Sequence, residues 1–374
     1  MSEQELGALV VDLDHLDLVL ARARDLRQDL IIGPPDELPA LRLARVPVSA
    51  EVSASTFVDP EQLDLLLAQL RWWCAGRFGG WTPEMGKDRD LENIFAFGHP
   101  KSLGALVAVP AEAPSAMAAP SGKGEGTGAG VTVVMLDVDP VEAQVVADSS
   151  GVPQVAGHGR FVEGVIKSLA PGAVIRPRKA LEPDGRGRTW QVVKALAAAV
   201  LQDGAQVVNL SIGCRTSDGA PPFALRRAVE VLGERALLVA AAGNRWNDAG
   251  VAQRSQPTWP ATLPGVVAVG AAGAPFSPRL PWVDYLAPGV DVVSTFLDGV
   301  STAEHPREAF HGFAKWSGTS FAAAHVAGAV AAALSRPGPA PAAQPSSRAA
   351  RAALEDLAAD SGSGITRYIW KHEV

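Results

Sequence analysis

The chain has 374 residues, room for two domains at roughly 100 to 200 residues each, and its 47% hydrophobic and 20% charged content suits a sizeable buried core. With 33 basic against 40 acidic residues the net charge is −7, the wrong sign for a surface that grips a phosphate backbone, which argues against nucleic acid as a main partner. No apolar run approaches the roughly 18 residues of a membrane span, which argues against a membrane partner, and Cys74 and Cys214 stand in no metal-ligand or C-x-x-C spacing, which argues against a zinc site or a disulfide scaffold.

The first residues, Met1-Ser2-Glu3-Gln4-Glu5, are acidic where an export signal is positive, so the expected location is the cytoplasm. Ala8 to Leu13 and Ala40 to Val48 read as strands, and Leu16 to Leu26 as a helix. From Asp59 to Cys74 an N-cap aspartate, Pro60 at the first helical position and leucines at 63, 65, 66, 67 and 70 predict a second helix. Ile94 to Phe97 and Leu103 to Val109 read as short strands. Residues 1 to 108 are therefore expected to form a small α+β N-terminal domain. Over 109 to 130 the composition falls to Ala, Pro, Ser and Gly, as in a flexible linker.

Residues 131 to 374 change character. Val131 to Leu136, Ala173 to Pro177, Val207 to Leu210, Ala236 to Ala242 and Val266 to Val269 are short, almost continuous apolar runs, as in strands covered on both faces. Thr189 to Leu201 and Ala224 to Leu232 are helical stretches between them. This alternation predicts an α/β fold with a doubly wound, mostly parallel sheet, in which functional residues gather at the carboxyl ends of strands. A Pro/Ala-rich break at Arg336 to Gln344 precedes a helix at Ser347 to Ala358 and an edge strand at Ile365 to Trp370.

Four features carry chemistry. Ser320 follows Gly318-Thr319 at the start of an alanine-rich helix, where developing negative charge is favoured; a plain helix N-cap is the other reading of such a serine. His158 opens a helix between Gly157 and Gly159. Asp137 ends the apolar strand Val131 to Asp137, where a lone aspartate commonly caps the next turn. Asn244 closes Ala240-Ala241-Ala242-Gly243-Asn244 with an amide able to donate a hydrogen bond.

Their order, Asp137, His158, Asn244, Ser320, resembles the subtilisin-like serine proteases. The resemblance rests on the strand-Asp, His158-Gly159-Arg160-Phe161-Val162-Glu163-Gly164, Asn209-Leu210-Ser211-Ile212-Gly213, the Asn244 segment, and Gly318-Thr319-Ser320-Phe321-Ala322-Ala323-Ala324-His325-Val326-Ala327-Gly328. It covers 131 to the C-terminus and implies a subtilisin-like fold and a serine endopeptidase acting on protein or peptide substrates. By that resemblance Ser320 is the nucleophile, His158 the general base and then acid, Asp137 the group that steadies the imidazole, and Asn244 the oxyanion donor. Ser211, Ile212 and Gly213 correspond to the strand that pairs with extended substrate.

The chain departs from the family pattern at Ala324 (usually proline), at Phe161 (a second histidine in many members), and at Val138-Asp139, which sets a second carboxylate beside Asp137. His325 is expected to serve packing. No cofactor and no metal are expected; the short Lys167-Ser168 stretch leaves no room for a calcium-binding insertion. By the resemblance Arg245 stands at the rim of the pocket before the scissile bond, and with Arg215 and Arg160 it raises a preference for acidic residues near the cleavage point; three solvated arginines pointing away from the substrate are the other reading. The alternative function is a silent pseudoprotease that binds peptides. Residues 1 to 108 are either a propeptide or, as the missing export signal suggests, a permanent domain that recruits substrate.

Overall fold

The computed structural model describes residues 2–52, 61–93, 107–114, 127–147, 152–244, 256–335 and 346–370. They fall into two compact units, Met1–Arg89 with Pro221–Ala228, and Asp90–Ala220 with Val229–Val374.

In the first unit, β1 (Ser2–Asp12), α1 (Leu16–Leu26), β2 (Leu30–Ile32), β3 (Asp36–Leu38), β4 (Leu43–Val52), α2 (Gln62–Arg77) and β5 (Met85–Lys87) form an antiparallel sheet with two helices. The sheet order is β2-β4-β1-β5, with β3 also on β4. Period-two alternation puts Leu9, Val11, Val46 and Val48 on one face. There they share a buried cluster with Val19 and Ala23 of α1 and Leu63, Leu66, Leu67 and Leu70 of α2. The bulge between Glu5 and Gly7 falls at a glycine with φ of 130°, whose absent Cβ keeps Leu63 from being crowded. Asp12 and Arg227, both nearly buried, are ion-paired at 2.7 Å, and Glu84 binds Arg226 at 2.7 Å and Arg227 as well.

Helix α2 runs from Gln62, with Glu61 at its N-cap position, and continues past the expected end at Cys74 to Arg77. Its leucine stripe located the element; the expected cap at Asp59-Pro60 lies outside the described residues. The expected strand Ile94 to Phe97 and most of Leu103 to Val109 lie outside the described residues.

The second unit adds β6 (Asp90–Asn93), β7 (Val109–Pro110), β8 (Thr132–Val138), α3 (Pro140–Ala147), α4 (His158–Leu169), β9 (Val174–Leu181), β10 (Arg186–Arg188), α5 (Thr189–Leu201), β11 (Val207–Leu210) and β12 (Ile212–Gly213). Then follow α6 (Phe223–Leu232), whose first turns belong to the first unit, β13 (Leu237–Ala241), β14 (Val266–Ala271), β15 (Tyr285–Ala287), β16 (Val292–Val300), β17 (Phe310–Trp316), α7 (Thr319–Leu334), α8 (Ser347–Ala359) and β18 (Thr366–Arg367).

The main sheet runs β18-β15-β14-β13-β11-β8-β9, parallel except for β18. It is the doubly wound α/β sheet anticipated from the apolar runs. From β8 the chain crosses to β9 on one side and later to β11 on the other, so the strand order reverses at β8. In sheets of this kind the crevice at such a reversal, beyond the carboxyl ends, receives ligands. Helix α7 is apolar all round and buried along most of its length, as befits a central helix. Small residues let it approach α4: a Cβ on Gly328 would stand 3.0 Å from the Ile166 carbonyl. The expected edge strand Ile365 to Trp370 shortens to Thr366–Arg367, antiparallel to β15. No helix among the described residues is long and apolar enough to cross a membrane.

Candidate active site

Asp137 is the penultimate residue of β8, at the carboxyl end where the strand order reverses. Its Oδ1 accepts the Val138 N–H at 2.8 Å, and His158 Nδ1 lies 2.9 Å from both carboxylate oxygens. An ionised carboxylate can only accept, so Nδ1 carries the ring proton and Nε2 is left as the basic nitrogen. The neighbouring carboxylate does something else: Asp139 Oδ1 accepts the Val141 and Glu142 N–H groups at 2.9 and 3.0 Å and caps α3. The structure thus assigns the two adjacent aspartates to different work.

His158 is the first residue of α4. The glycine after it is dictated by packing, because a Cβ on Gly159 would sit 2.1 Å from the Val138 carbonyl. Only a hydrogen at that position lets the helix start close enough to β8 for the imidazole to reach Asp137. Behind the ring, Trp316 meets His158 edge-on with centroids 5.6 Å apart, and Phe321 lies tilted at 5.6 Å. Phe161 takes part in the same packing, 4.3 Å from Phe321. The sequence treated Phe161 as a departure; in the fold it is core, completely buried.

Ser320 is the second residue of α7, and the N-cap position is held by Gly318, whose N–H binds the Gly289 carbonyl at 2.7 Å. The capping explanation for Ser320 therefore fails. Its Oγ is buried and has no hydrogen-bond partner among the described residues. The Ser320 carbonyl accepts the Ser211 hydroxyl at 3.3 Å, while Ser211 Oγ accepts Asn209 Nδ2 at 2.8 Å.

Asn244 follows a turn at Gly243, whose φ of 111° favours glycine. Its Oδ1 accepts from the Thr319 N–H at 2.8 Å and the Thr319 hydroxyl at 3.0 Å, and Thr319 Oγ1 accepts the Gly243 N–H at 3.0 Å. With the oxygen fixed, the amide nitrogen faces the other way, buried and without a partner among the described residues. Thr319 is thus an orienting residue that the sequence reading quoted in a motif without giving it a role. Its signal was there, as a hydroxyl beside the serine at a helix start.

Asp137, His158, Asn244 and Ser320 are all at most 3% exposed, so the ensemble belongs to the core and not to a surface loop. Chemically it holds a carboxylate-supported imidazole, a serine hydroxyl at a helix N-terminus and an amide donor with free hydrogen-bonding capacity. No cluster of three or more His, Cys, Asp or Glu with metal-binding placement occurs among the described residues.

Ser211, Ile212 and Gly213 lie where an extended chain pairs, but β12 already has a neighbour. β6 runs antiparallel to it, Ile212 opposite Asn93 and Gly213 opposite Glu92, and pairs on its other side with β10. The four-residue run Asp90 to Asn93 is too short for periodicity to flag it as a strand. Of the three arginines expected at the cleft, Arg245 lies outside the described residues. Arg160 donates to Gln144 at 3.1 Å. Arg215 is partly buried with no ion-pair partner among the described residues, and desolvation lowers its pKa. His325 meets the Ser363 carbonyl at 3.3 Å, consistent with a packing role.

A family profile described as Subtilase family matches residues 149–367, more than half of the chain. Asp137 precedes that span. The thermophilic serine proteinase of Bacillus sp. (strain AK1) is 33% identical over 193 residues, 46% of this chain and 41% of the relative. Subtilisin BL of Lederbergia lenta is 33% identical over 189 residues, 47% of this chain and 62% of the relative. The chain thus spans less than two thirds of the length of these relatives. Among solved structures, fervidolysin from Fervidobacterium pennivorans, described as a keratinolytic enzyme related to subtilisin, superposes with a TM-score of 0.54 at 20% identity, covering 88% of this chain and 55% of that one. That likeness speaks to the fold.

Proposed function

Because the chain belongs to the subtilase family, we propose that it is a serine endopeptidase that cleaves peptide bonds through an acyl-enzyme formed on Ser320. His158 Nε2 takes the Ser320 proton as the oxygen attacks the carbonyl carbon, then gives it to the departing amine. Asp137 holds the imidazole in the tautomer that makes this possible and steadies the imidazolium. Asn244 Nδ2 donates to the oxyanion. In the second half a water, deprotonated by the same histidine, releases the acyl group.

The observation that carries this reading is the placement of His158 Nδ1 at 2.9 Å from both oxygens of a buried carboxylate at a strand end. The deciding test is a fluorophosphonate probe on the intact protein. The expected result is a covalent adduct mapped by mass spectrometry to Ser320, absent when His158→Ala removes the base. A folded protein that takes no label rejects the proposal.

The oxyanion role of Asn244 has its own expected size. Asn244→Ala lowers kcat by about 10²- to 10³-fold with a small change in KM, because the lost hydrogen bond matters mainly in the tetrahedral state. Steady-state kinetics on one peptide substrate measure it, and an unchanged kcat removes Asn244 from the machinery.

A further inference from the structure

Strand β6 shows what the edge between β10 and β12 accepts. In the register with β10, Arg186 stands opposite Glu92, Gly187 opposite Leu91, and Arg188 opposite Asp90. Strand alternation puts residues two apart on one face. Toward the body of the unit Leu91 is completely buried, and Gly187 is held so closely that a Cβ there would lie 2.6 Å from the Ala180 carbonyl. Toward solvent the edge is charged: Arg188 Nε is 3.5 Å from Asp90 Oδ1, and Arg186 is exposed at the start of β10. Arg215 comes two residues after Gly213, just beyond the end of β12, partly buried and without an ion-pair partner among the described residues. The β10 side of the groove is therefore basic, in a chain whose net charge is −7.

Resting on the endopeptidase reading, we propose that this edge selects extended peptides with an aliphatic residue flanked on both sides by carboxylates, the pattern of Asp90-Leu91-Glu92, and that Arg186, Arg188 and Arg215 determine that specificity. Main-chain pairing to β10 and β12 supplies affinity for any extended chain. The buried position admits an aliphatic side chain, and the arginines sort the residues on either side of it by charge. A peptide entering the edge displaces β6 and must replace its contacts, so one that reproduces its charge pattern has the advantage.

The test uses the full chain and three peptides that share one cleavable C-terminal segment, preceded by Asp-Leu-Glu-Asn, Asn-Leu-Gln-Asn or Lys-Leu-Lys-Asn. The expected order of kcat/KM is acidic, neutral, basic. The extremes differ by about tenfold, and the gap narrows at high salt because exposed pairs are screened. In the Arg186→Glu/Arg188→Glu double variant the order inverts, and Arg215→Gln alone narrows the gap. Equal rates for the three peptides, or an order that the double variant leaves unchanged, overturn the proposal. If none of the peptides is cut, the endopeptidase reading fails separately. The edge is then read through amide hydrogen exchange at Leu91 and Glu92 while each peptide is titrated: faster exchange with the acidic peptide supports the selectivity, and equal exchange with all three overturns it.

Discussion

Ser320→Ala reduces peptide hydrolysis on the scale that subtilisin itself sets for loss of this serine, about 10⁶-fold, without lowering the unfolding temperature. The two halves of this expectation come from different observations. The loss is large because the acyl-enzyme needs the oxygen. The fold loses nothing because Ser320 Oγ has no hydrogen-bond partner among the described residues and Gly318 occupies the N-cap position. Single-turnover kinetics beside a thermal melt check both. Wild-type activity in the variant rejects Ser320 as nucleophile, and loss of activity accompanied by unfolding would make the serine structural. A pseudoprotease predicts a third outcome, in which wild type and variant are equally inert.

Asp137→Asn costs about 10⁴-fold in kcat while the fold and peptide affinity persist. The substitution changes where the ring proton sits. His158 Nδ1 now faces two acceptor oxygens at 2.9 Å. An asparagine amide turned toward the ring donates to Nδ1, which moves the ring proton to Nε2, and an Nε2 that carries a proton cannot take one from Ser320. The pH profile of kcat together with the imidazole proton resonances checks this. A variant with full activity would return the role to Asp139, although the cap that Asp139 forms on α3 argues against that outcome.

How much of this was legible beforehand varies with the distance over which the determining contacts act. The parallel sheet could be read from apolar runs such as Val207 to Leu210 because strands buried on both faces need no partner information to look continuous. Helix α5 was bounded to the residue, Thr189–Leu201. Strand register favoured Asp137 over Asp139, but what distinguishes their work is which hydrogen bonds their oxygens accept, and that is not written in the strand. Thr319 as the clamp on Asn244 joins residues 75 apart: the hydroxyl at the helix start is visible locally, but its partner is not. β6 escaped for the same reason: its residues form a strand because β10 and β12 offer unpaired edges, which is a property of the assembled unit and not of Asp90 to Asn93.

Two polar groups in the core have consequences for stability. Ser320 Oγ and Asn244 Nδ2 are buried with no partner among the described residues, and a buried unsatisfied group costs roughly 1 to 3 kcal/mol. Substitutions to small apolar residues at either position are one nucleotide event or a few away and relieve that cost. Both groups, and the threonine that holds one of them in place, therefore sit in the unliganded fold at a cost to its stability. On the proposed function, bound substrate supplies the partner that those two atoms lack.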